Sequence, residues 1–507
     1  MAYFRRTTIA AALISTTLAA ANKVAPDLKS KIDAIIARST QMASAFIGIR
    51  VVSLADGRVL YERNHDHLFA PASNAKLFTT ALALTTLGSS YRFTTTVIAE
   101  QPLDAAGRLA GDLVFVGGGD PSLSPRHYPY EKTHEQPSQH VDTIFAIEEL
   151  ADQIVARGLK TVEGDVVGDD RRYLWEPYPD GWSENDPMWE YGAPVSALIV
   201  NDNAFTLWIR PGDQAGDLAR LLTSPSLNLF TIDNRVITIE KGDRNIHVRR
   251  GAGSHELQVW GEIPVSNRGI SESLAIDDPG IYAAAMLRDA LIRRGVSIRG
   301  AALARHFHVD EVADRKRADS LPPLASGVEL ARRVSPPLNE LLQVVEKVSQ
   351  NLHAEAMLRE VGAVRRNIGS SEAGQEEMKI FLAKAGIGDK ESHLVDGSGL
   401  SRLTLVTPAA ITSLLVHMYR STDRDEWIAL LPIAGVDGTL NRRFEGHPEA
   451  SRIQAKTGSL SHVRAMSGYA ESKEHGMLAF SVLVNDSLAT SRDISRFLDT
   501  IGLKLIE

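Results

Sequence analysis

The run of residues 74–87, NAKLFTTALALTTL, is the feature that most restricts how this chain can fold. Its apolar side chains would lie on nearly all sides of a helix, and Gly88 follows as a stop signal. Such a helix is stable only when other elements cover all its faces, so we expect it at the centre of a core. Yet Lys76 lies in its first turn, three residues after Ser73. The sequence therefore predicts a buried lysine beside a serine hydroxyl.

Ser73 and Lys76 form an S-x-x-K pair, whose spacing puts both side chains on one face of a helix. Serine is a weak nucleophile and needs a base beside it. Lysine becomes a base when burial or nearby positive charge lowers its pKa. The pair thus fits a nucleophile and its base. The same pattern also arises by chance about once or twice in a chain of this size, so it decides nothing alone.

A second polar group, Ser349-Gln350-Asn351, lies between two predicted helices. It offers a hydroxyl to relay a proton and an amide to orient a substrate. The S-x-N pattern recurs at 183–185 and 226–228, and helix capping explains all three occurrences equally well.

A third group, Lys456-Thr457-Gly458, occurs once, on the predicted strand IQAKTGSL. A glycine inside a strand lets another backbone or a ligand approach closely, and the lysine and threonine beside it could hold a carboxylate. The alternative is a charged edge strand with a bulge glycine.

The two ends of the chain share a pattern that the middle lacks. A strand hairpin precedes Ser73, and three strands followed by an amphipathic helix end the chain, whereas the middle holds short β-like runs between glycines. The pattern predicts one α/β (α+β) domain formed by residues 22–95 and 323–507. Residues 96–322 would be an inserted, mostly-β region of two nested domains.

Composition excludes several function classes. The net charge of -8 and pI near 6.0 argue against a nucleic-acid partner. With no cysteine, the 507 residues hold no disulfide, thiol nucleophile or cysteine-bound metal. The cluster His65-Asp66-His67 lacks the spacing of a metal motif, and Gly117-Gly118-Gly119-Asp120 lacks a Walker lysine, so we expect neither metal nor cofactor. The lack of a G-x-S-x-G elbow weakens a Ser-His-Asp hydrolase interpretation.

Residues 1–21 have the pattern of an export signal: Arg5 and Arg6, a short apolar run, and Ala19-Ala20-Ala21 as a cleavage site. The apolar run is too short to span a bilayer, and no later stretch reaches about 18 apolar residues. We expect a mature chain that starts near Asn22, has no transmembrane span and is periplasmic or secreted.

The order of the three motifs resembles that of the penicillin-recognising serine acyl-transferases, the penicillin-binding proteins and serine β-lactamases. Segments along the whole mature chain, such as YGAPVSALIVNDN, LVDGSGLSR and LPIAGVDGTL, resemble class C low-molecular-mass penicillin-binding proteins, the D-alanyl-D-alanine carboxypeptidases/endopeptidases of peptidase family S13. The 276 positions from Ser73 to Ser349 match that family's inserted domains. Gln350 departs from the pattern, because the family usually has Asp there. The resemblance implies a serine β-lactamase/DD-peptidase-like antiparallel sheet flanked by helices.

The resemblance also implies roles for the motif residues. Ser73 would be the nucleophile that forms an ester, with neutral Lys76 as its base. Ser349 would pass a proton to the leaving amine, and Asn351 would orient the substrate. Lys456 would lower the pKa of Lys76 further.

Substrate contacts implied by the resemblance lie on the late strand and in two loops. Lys456 and Thr457 would hold the terminal carboxylate beside Gly458, and the backbone N–H groups of Ser73 and Ser459 would bind the oxyanion. Arg402 and Asp169 would pair with the charges at the free end of a diaminopimelate side chain, with Asp170 as a rival of Asp169. Ordinary surface ion pairs are the alternative for both.

We therefore expect a serine D-Ala-D-Ala carboxypeptidase that also cleaves peptidoglycan cross-links and is acylated by β-lactams. Its partners would be peptidoglycan stem peptides, and we expect no nucleic-acid partner. The sequence leaves open whether the protein forms a homodimer. Two alternatives stay: a β-lactamase-like or D-aminopeptidase hydrolase on the same fold, and a catalytically silent penicillin- or wall-binding module.

Overall fold

The computed structural model describes residues 27–132, 144–226, 229–251, 253–317 and 325–507. The predicted export signal and the predicted domain boundary at 322–323 lie outside these residues. Within them, no helix is both long and apolar enough to cross a membrane.

The α-helices of the described residues are numbered in chain order: α1 Leu28–Arg38, α2 Lys76–Leu87, α3 Phe145–Ala156, α4 Pro279–Arg293, α5 Leu338–Gln343, α6 Asn351–Arg366, α7 Ser371–Lys384, α8 Pro408–Arg420, α9 Arg424–Leu430 and α10 Ser491–Leu505. The strands are numbered likewise: β1 Phe46–Ser53, β2 Val59–Arg63, β3 Thr94–Ala99, β4 Arg108–Leu109, β5 Leu113–Val116, β6 Thr161–Val162, β7 Val166–Leu174, β8 Ala204–Arg210, β9 Arg220–Ser224, β10 Thr231–Ile239, β11 Asn245–Arg250, β12 Glu256–Pro264, β13 Ile270–Ala275, β14 Ser297–Ile298, β15 Ala302–Phe307, β16 Val328–Val334, β17 Ser392–His393, β18 Leu405–Val406, β19 Ile453–Leu460, β20 Val463–Ser472 and β21 Gly476–Asn485.

One antiparallel sheet joins the two ends of the chain, in the strand order β19-β20-β21-β1-β2. Helices cover both of its faces. Leu483 on β21 packs in a core with α2 and α8, whereas its neighbour Val484 packs in a core with α1 and α10. Because successive side chains point to opposite faces, a strand covered on both sides is mostly apolar, as β21 is apart from Ser481 and Asn485. This arrangement confirms the predicted fold class.

Helix α2 lies at the centre of one of these cores, as its composition predicts. Every residue from Lys76 to Leu84 is buried. The helix begins two residues later than its apolar run, because Ala72–Ala75 form a 3₁₀ turn that carries Ser73.

The middle of the chain forms further sheets around a separate hydrophobic core. The largest has the order β15-β7-β5-β3-β16, with α3 and α4 contributing to the same core. Strands β3 and β16 pair antiparallel, with Thr94 opposite Val334, where the chain leaves and returns to the terminal part. The small antiparallel sheet β13-β8-β9 also belongs to this middle part. How the chain divides into domains stays a prediction.

Candidate active site

Ser73 and Lys76 meet at the start of α2. Lys76 Nζ lies 2.9 Å from Ser73 Oγ, 2.6 Å from Asn351 Oδ1 and 2.8 Å from the carbonyl oxygen of Ser398. The lysine is fully buried, and Ser73 is half-buried. Ser73 and Lys76 are brought together by the local geometry at the start of α2, whereas Asn351 and Ser398 contact the lysine only through tertiary packing.

Burial and, to a smaller extent, the positive charge of Lys456 lower the pKa of Lys76 to about 7, although three acidic side chains oppose the shift. The neutral amine has two N–H groups and one lone pair. The oxygens of Asn351 and Ser398 only accept hydrogen bonds, so they take the two N–H groups. The lone pair is then left for the hydroxyl proton of Ser73, as a general base requires.

Ser349 is held beside the second lysine. It lies in the left-handed region (φ 70°) between a π-helical turn at Val344–Val348 and α6. Lys456 Nζ donates to Ser349 Oγ at 2.8 Å. Lys456 is fully buried, and burial lowers its pKa to about 8, although Glu346 opposes this. Ser73 and Ser349 therefore each have a buried lysine with a lowered pKa beside them.

Gly458 lets β19 lie directly against the turn that carries Ser73. A Cβ atom at position 458 would lie 2.6 Å from the carbonyl oxygen of Pro71, closer than side chains pack. Next to it, Thr457 Oγ1 lies 2.7 Å from Thr439 Oγ1. The glycine of the K-T-G motif is therefore explained by close backbone approach, one of the two interpretations that the sequence leaves open.

These side chains open into a cavity of about 460 Å³, which we call the catalytic groove. Its lining residues are Ser73, Ser183, Asp186, Tyr191, Ser349, Asn351, Gly399, Leu400, Arg402, Thr439, Thr457, Ser459, Leu460 and Ser461. The structure thus brings the three motifs and Arg402 to one groove, with Lys76 and Lys456 buried behind it.

Residues 28–503 match the D-Ala-D-Ala carboxypeptidase 3 (S13) family. The chain belongs to this family. The D-alanyl-D-alanine carboxypeptidase of Actinomadura sp. (strain R39) is 32% identical over 472 residues, which cover 90% of this chain and 81% of that protein. The D-alanyl-D-alanine carboxypeptidase DacB of Haemophilus influenzae is 24% identical over 449 residues, or 87% and 85% of the two chains. These matches confirm the predicted family and the predicted enzyme class, a D-Ala-D-Ala carboxypeptidase.

A solved structure shares the fold. The crystal structure of penicillin binding protein 4 (dacB) from Haemophilus influenzae superposes with a TM-score of 0.79 at 23% identity, covering 94% of this chain and 99% of that one. The same protein with a bound β-lactam gives a TM-score of 0.71 at 21% identity, with the same coverage.

The structure does not bring Asp169 or Asp170 to the catalytic groove. Asp169 is fully buried on β7 and pairs with Arg171, Oδ2 to Nη2, at 2.6 Å. Asp170 accepts from Ser196 Oγ at 2.8 Å and lies 2.9 Å from His306 Nδ1. The contact with a diaminopimelate ammonium predicted for either aspartate therefore has no support in this geometry.

The acidic residue in the groove is instead Asp186, which the sequence reasoning missed. It lines the same cavity as Arg402, and it accepts from the backbone N–H of Ser183 at 2.8 Å and from Tyr191 Oη at 3.3 Å. Its position five residues before YGAPVSALIVNDN, a segment already linked to the family, was the available signal.

Gln350, the departure from the family pattern, makes two hydrogen bonds. Its side-chain oxygen caps α6 by accepting from Leu352 N–H at 2.8 Å, and its Nε2 donates to Glu190 Oε1 at 3.1 Å. Glu190 also lies 3.4 Å from Arg126, which pairs with Asp202. The amide at position 350 therefore bonds to a carboxylate without placing a second negative charge beside it.

Proposed function

We propose that this carboxypeptidase hydrolyses peptides ending in D-Ala-D-Ala through a covalent ester on Ser73. The observation that carries the proposal is the Lys76 amine, which lies 2.9 Å from Ser73 Oγ and whose two other hydrogen-bond partners only accept. With a pKa of about 7, Lys76 is partly neutral at neutral pH. A general base works best when its pKa lies near the working pH.

In the first half-reaction, Lys76 takes the hydroxyl proton of Ser73, and Ser73 Oγ bonds to the carbonyl carbon of the penultimate D-Ala. The C–N bond to the terminal D-Ala breaks, and a proton passes through Ser349 Oγ to the leaving amine. Lys456, 2.8 Å from Ser349 Oγ, favours the hydroxyl's transient loss of that proton. Water then attacks the ester, which releases the shortened peptide and returns the proton to Ser73.

Charged and polar groups on both sides of Ser73 would position the substrate. Thr457 lines the groove and its hydroxyl suits the terminal carboxylate as a donor, and the buried Lys456 beside it adds a positive charge that favours the carboxylate. Arg402 and Asp186 suit a diamino acid side chain that ends in a carboxylate and an ammonium. The proposal thus keeps Arg402 as predicted and replaces Asp169 by Asp186.

The same steps would cleave a cross-link. There the D-Ala carbonyl is joined by an amide bond to the side-chain amine of a diamino acid, and Ser73 would attack that carbonyl in the same way. We therefore include endopeptidase activity in the proposal. β-Lactams would acylate Ser73 in the same way. Since peptidoglycan lies outside the cytoplasm, the proposal places the enzyme in the periplasm or outside the cell, which agrees with the pattern of residues 1–21.

Labelling with a fluorescent penicillin, followed by mass spectrometry of the labelled peptide and an assay of released D-Ala, tests this proposal. We expect label on Ser73 and D-Ala release in the wild type, and neither in Ser73→Ala. Ser451→Ala, at an exposed serine, is the matched control and keeps both. Rapid loss of label with penicillin turnover would favour the β-lactamase alternative. A folded wild type without label would favour the wall-binding module.

A further inference from the structure

A second, larger cavity of about 690 Å³ adjoins the catalytic groove. Ser349, Asn351 and Tyr191 line both cavities, so the two meet at these residues. Asn351 Nδ2 donates to the carbonyl oxygen of Tyr191 at 2.8 Å, which ties the shared wall together. The second cavity therefore begins at Ser349, the residue through which the proposed mechanism passes a proton to the leaving amine.

One wall of this cavity is a face of the sheet β13-β8-β9. The register pairs Ser273 with Thr206 and Ser271 with Trp208, so these four side chains share a face. Ser271 and Ser273 are exposed, and Thr206 and Trp208 are half-buried. All four line the cavity. The wall thus combines hydroxyl groups with a broad aromatic surface, which suits a chain with amide groups and aliphatic side chains.

Charged side chains form another part of the cavity lining. Arg126 pairs with Asp202 at 2.5 Å and lies 3.4 Å from Glu190, so two carboxylates and one guanidinium line the cavity. The buried His353 also contacts Asp202, with its Nε2 2.9 Å from Oδ1. Glu190 keeps about a third of its side chain exposed. The two carboxylates suit amides and amines as hydrogen-bond acceptors, and the lining residues that the structure describes offer a polyanion only one guanidinium.

We propose that the second cavity binds the amine-side strand of a cross-linked peptide, the strand that leaves when Ser73 is acylated. This inference rests on the endopeptidase activity proposed above. In the reaction, the amide between the D-Ala carbonyl and the diamino acid side chain breaks, and the Ser73 ester forms. The proton passes through Ser349 to the departing amine, whose strand then lies along Trp208 and the hydroxyl groups. A terminal D-Ala leaving group lacks the further residues that would lie along this wall.

The test compares two substrates: an acetylated peptide ending in D-Ala-D-Ala, and a sugar-free cross-linked peptide dimer without a D-Ala-D-Ala end. Trp208→Ala removes the aromatic surface, and Ser273→Tyr fills the cavity from an exposed position. We expect kcat/KM for the dimer to fall about tenfold in both variants, with the small peptide unchanged within about twofold, because binding energy from remote parts of a substrate acts only when those parts are present. Trp260→Ala, at an exposed tryptophan on β12, is the control and changes neither value.

Equal losses on both substrates would overturn the inference, since they would indicate a general structural effect. Unchanged dimer cleavage in both variants would overturn it as well. That result is also expected if this face binds only sugars, because the dimer carries none. A wild type that cleaves the small peptide and not the dimer would remove the inference and leave the carboxypeptidase mechanism intact. A wild type that cleaves neither would refute the proposed function itself.

Discussion

Replacing Lys76 with Met should change how the stability of the protein depends on pH. An unfolded chain holds the lysine proton up to pH 10.5, whereas burial lowers the pKa of folded Lys76 to about 7. Between these pH values the unfolded state binds more protons, so the free energy of unfolding rises with pH. Burial of Lys76 destabilises the fold most at pH 7 and below, and this penalty disappears near pH 10.5. Each pKa unit corresponds to about 1.4 kcal/mol, so the lowered pKa of Lys76 changes the free energy of unfolding by at most roughly 5 kcal/mol between its two limits.

Urea unfolding followed by tryptophan fluorescence at pH 7, 8 and 9 measures this effect. As the pH rises, the free energy of unfolding of the wild type should increase by up to about 1.4 kcal/mol per pH unit relative to that of Lys76→Met. The hydrogen bonds lost from Asn351 and Ser398 shift the variant by a constant amount, so the slope is the informative quantity. Lys379→Met, at an exposed lysine, reports any general effect of losing a lysine. Parallel curves for wild type and Lys76→Met would refute the argument that folding strips this lysine of its proton.

Three further substitutions test other parts of the site. Gln350→Asp should slow penicillin acylation about 10- to 100-fold, because it places a second carboxylate beside Glu190. The difference between the variant and the wild type should be smaller at low pH, where one of the two carboxyl groups is protonated. Gly458→Ala should slow acylation about 100-fold and cost about 1–3 kcal/mol of unfolding free energy, because its Cβ would displace β19 from Pro71. Asp186→Asn should lower kcat/KM about tenfold for a peptide with a free diamino acid end, because an ammonium loses its partner.

Each has its own control. Adding Glu190→Gln to Gln350→Asp removes the repulsion and should restore the rate, and failure to do so would reject the charge argument. Gly388→Ala leaves acylation unchanged, because its Cβ would meet only a side-chain oxygen at 3.6 Å. For Asp186→Asn, a peptide with the same amine acetylated should show no loss, and an equal loss would mean a structural effect instead.

The local features of this protein could be predicted from the sequence because their causes are local. An all-round apolar run forms a buried helix wherever a core covers it, so α2 and its lysine were predictable. The spacing of Ser73 and Lys76 fixes their contact through the helix geometry alone. The three late strands also follow from their β-rich apolar runs and the turns between them.

Which distant residues share the site was decided only by the tertiary structure. Asp169 and Arg171 lie two positions apart on β7, so they share a face and pair with each other inside the protein. Asp186 lies in a connection that folds over the groove, and no periodicity announces that placement. Asn351 and Ser398 reach Lys76 from more than 270 residues away, and their contact depends on how α6 and the following loops pack on α2. By itself, the sequence determined the chemical groups and the local geometry of each motif. The tertiary fold decided the neighbours and the burial, and these set the pKa of the base and the shape of both cavities.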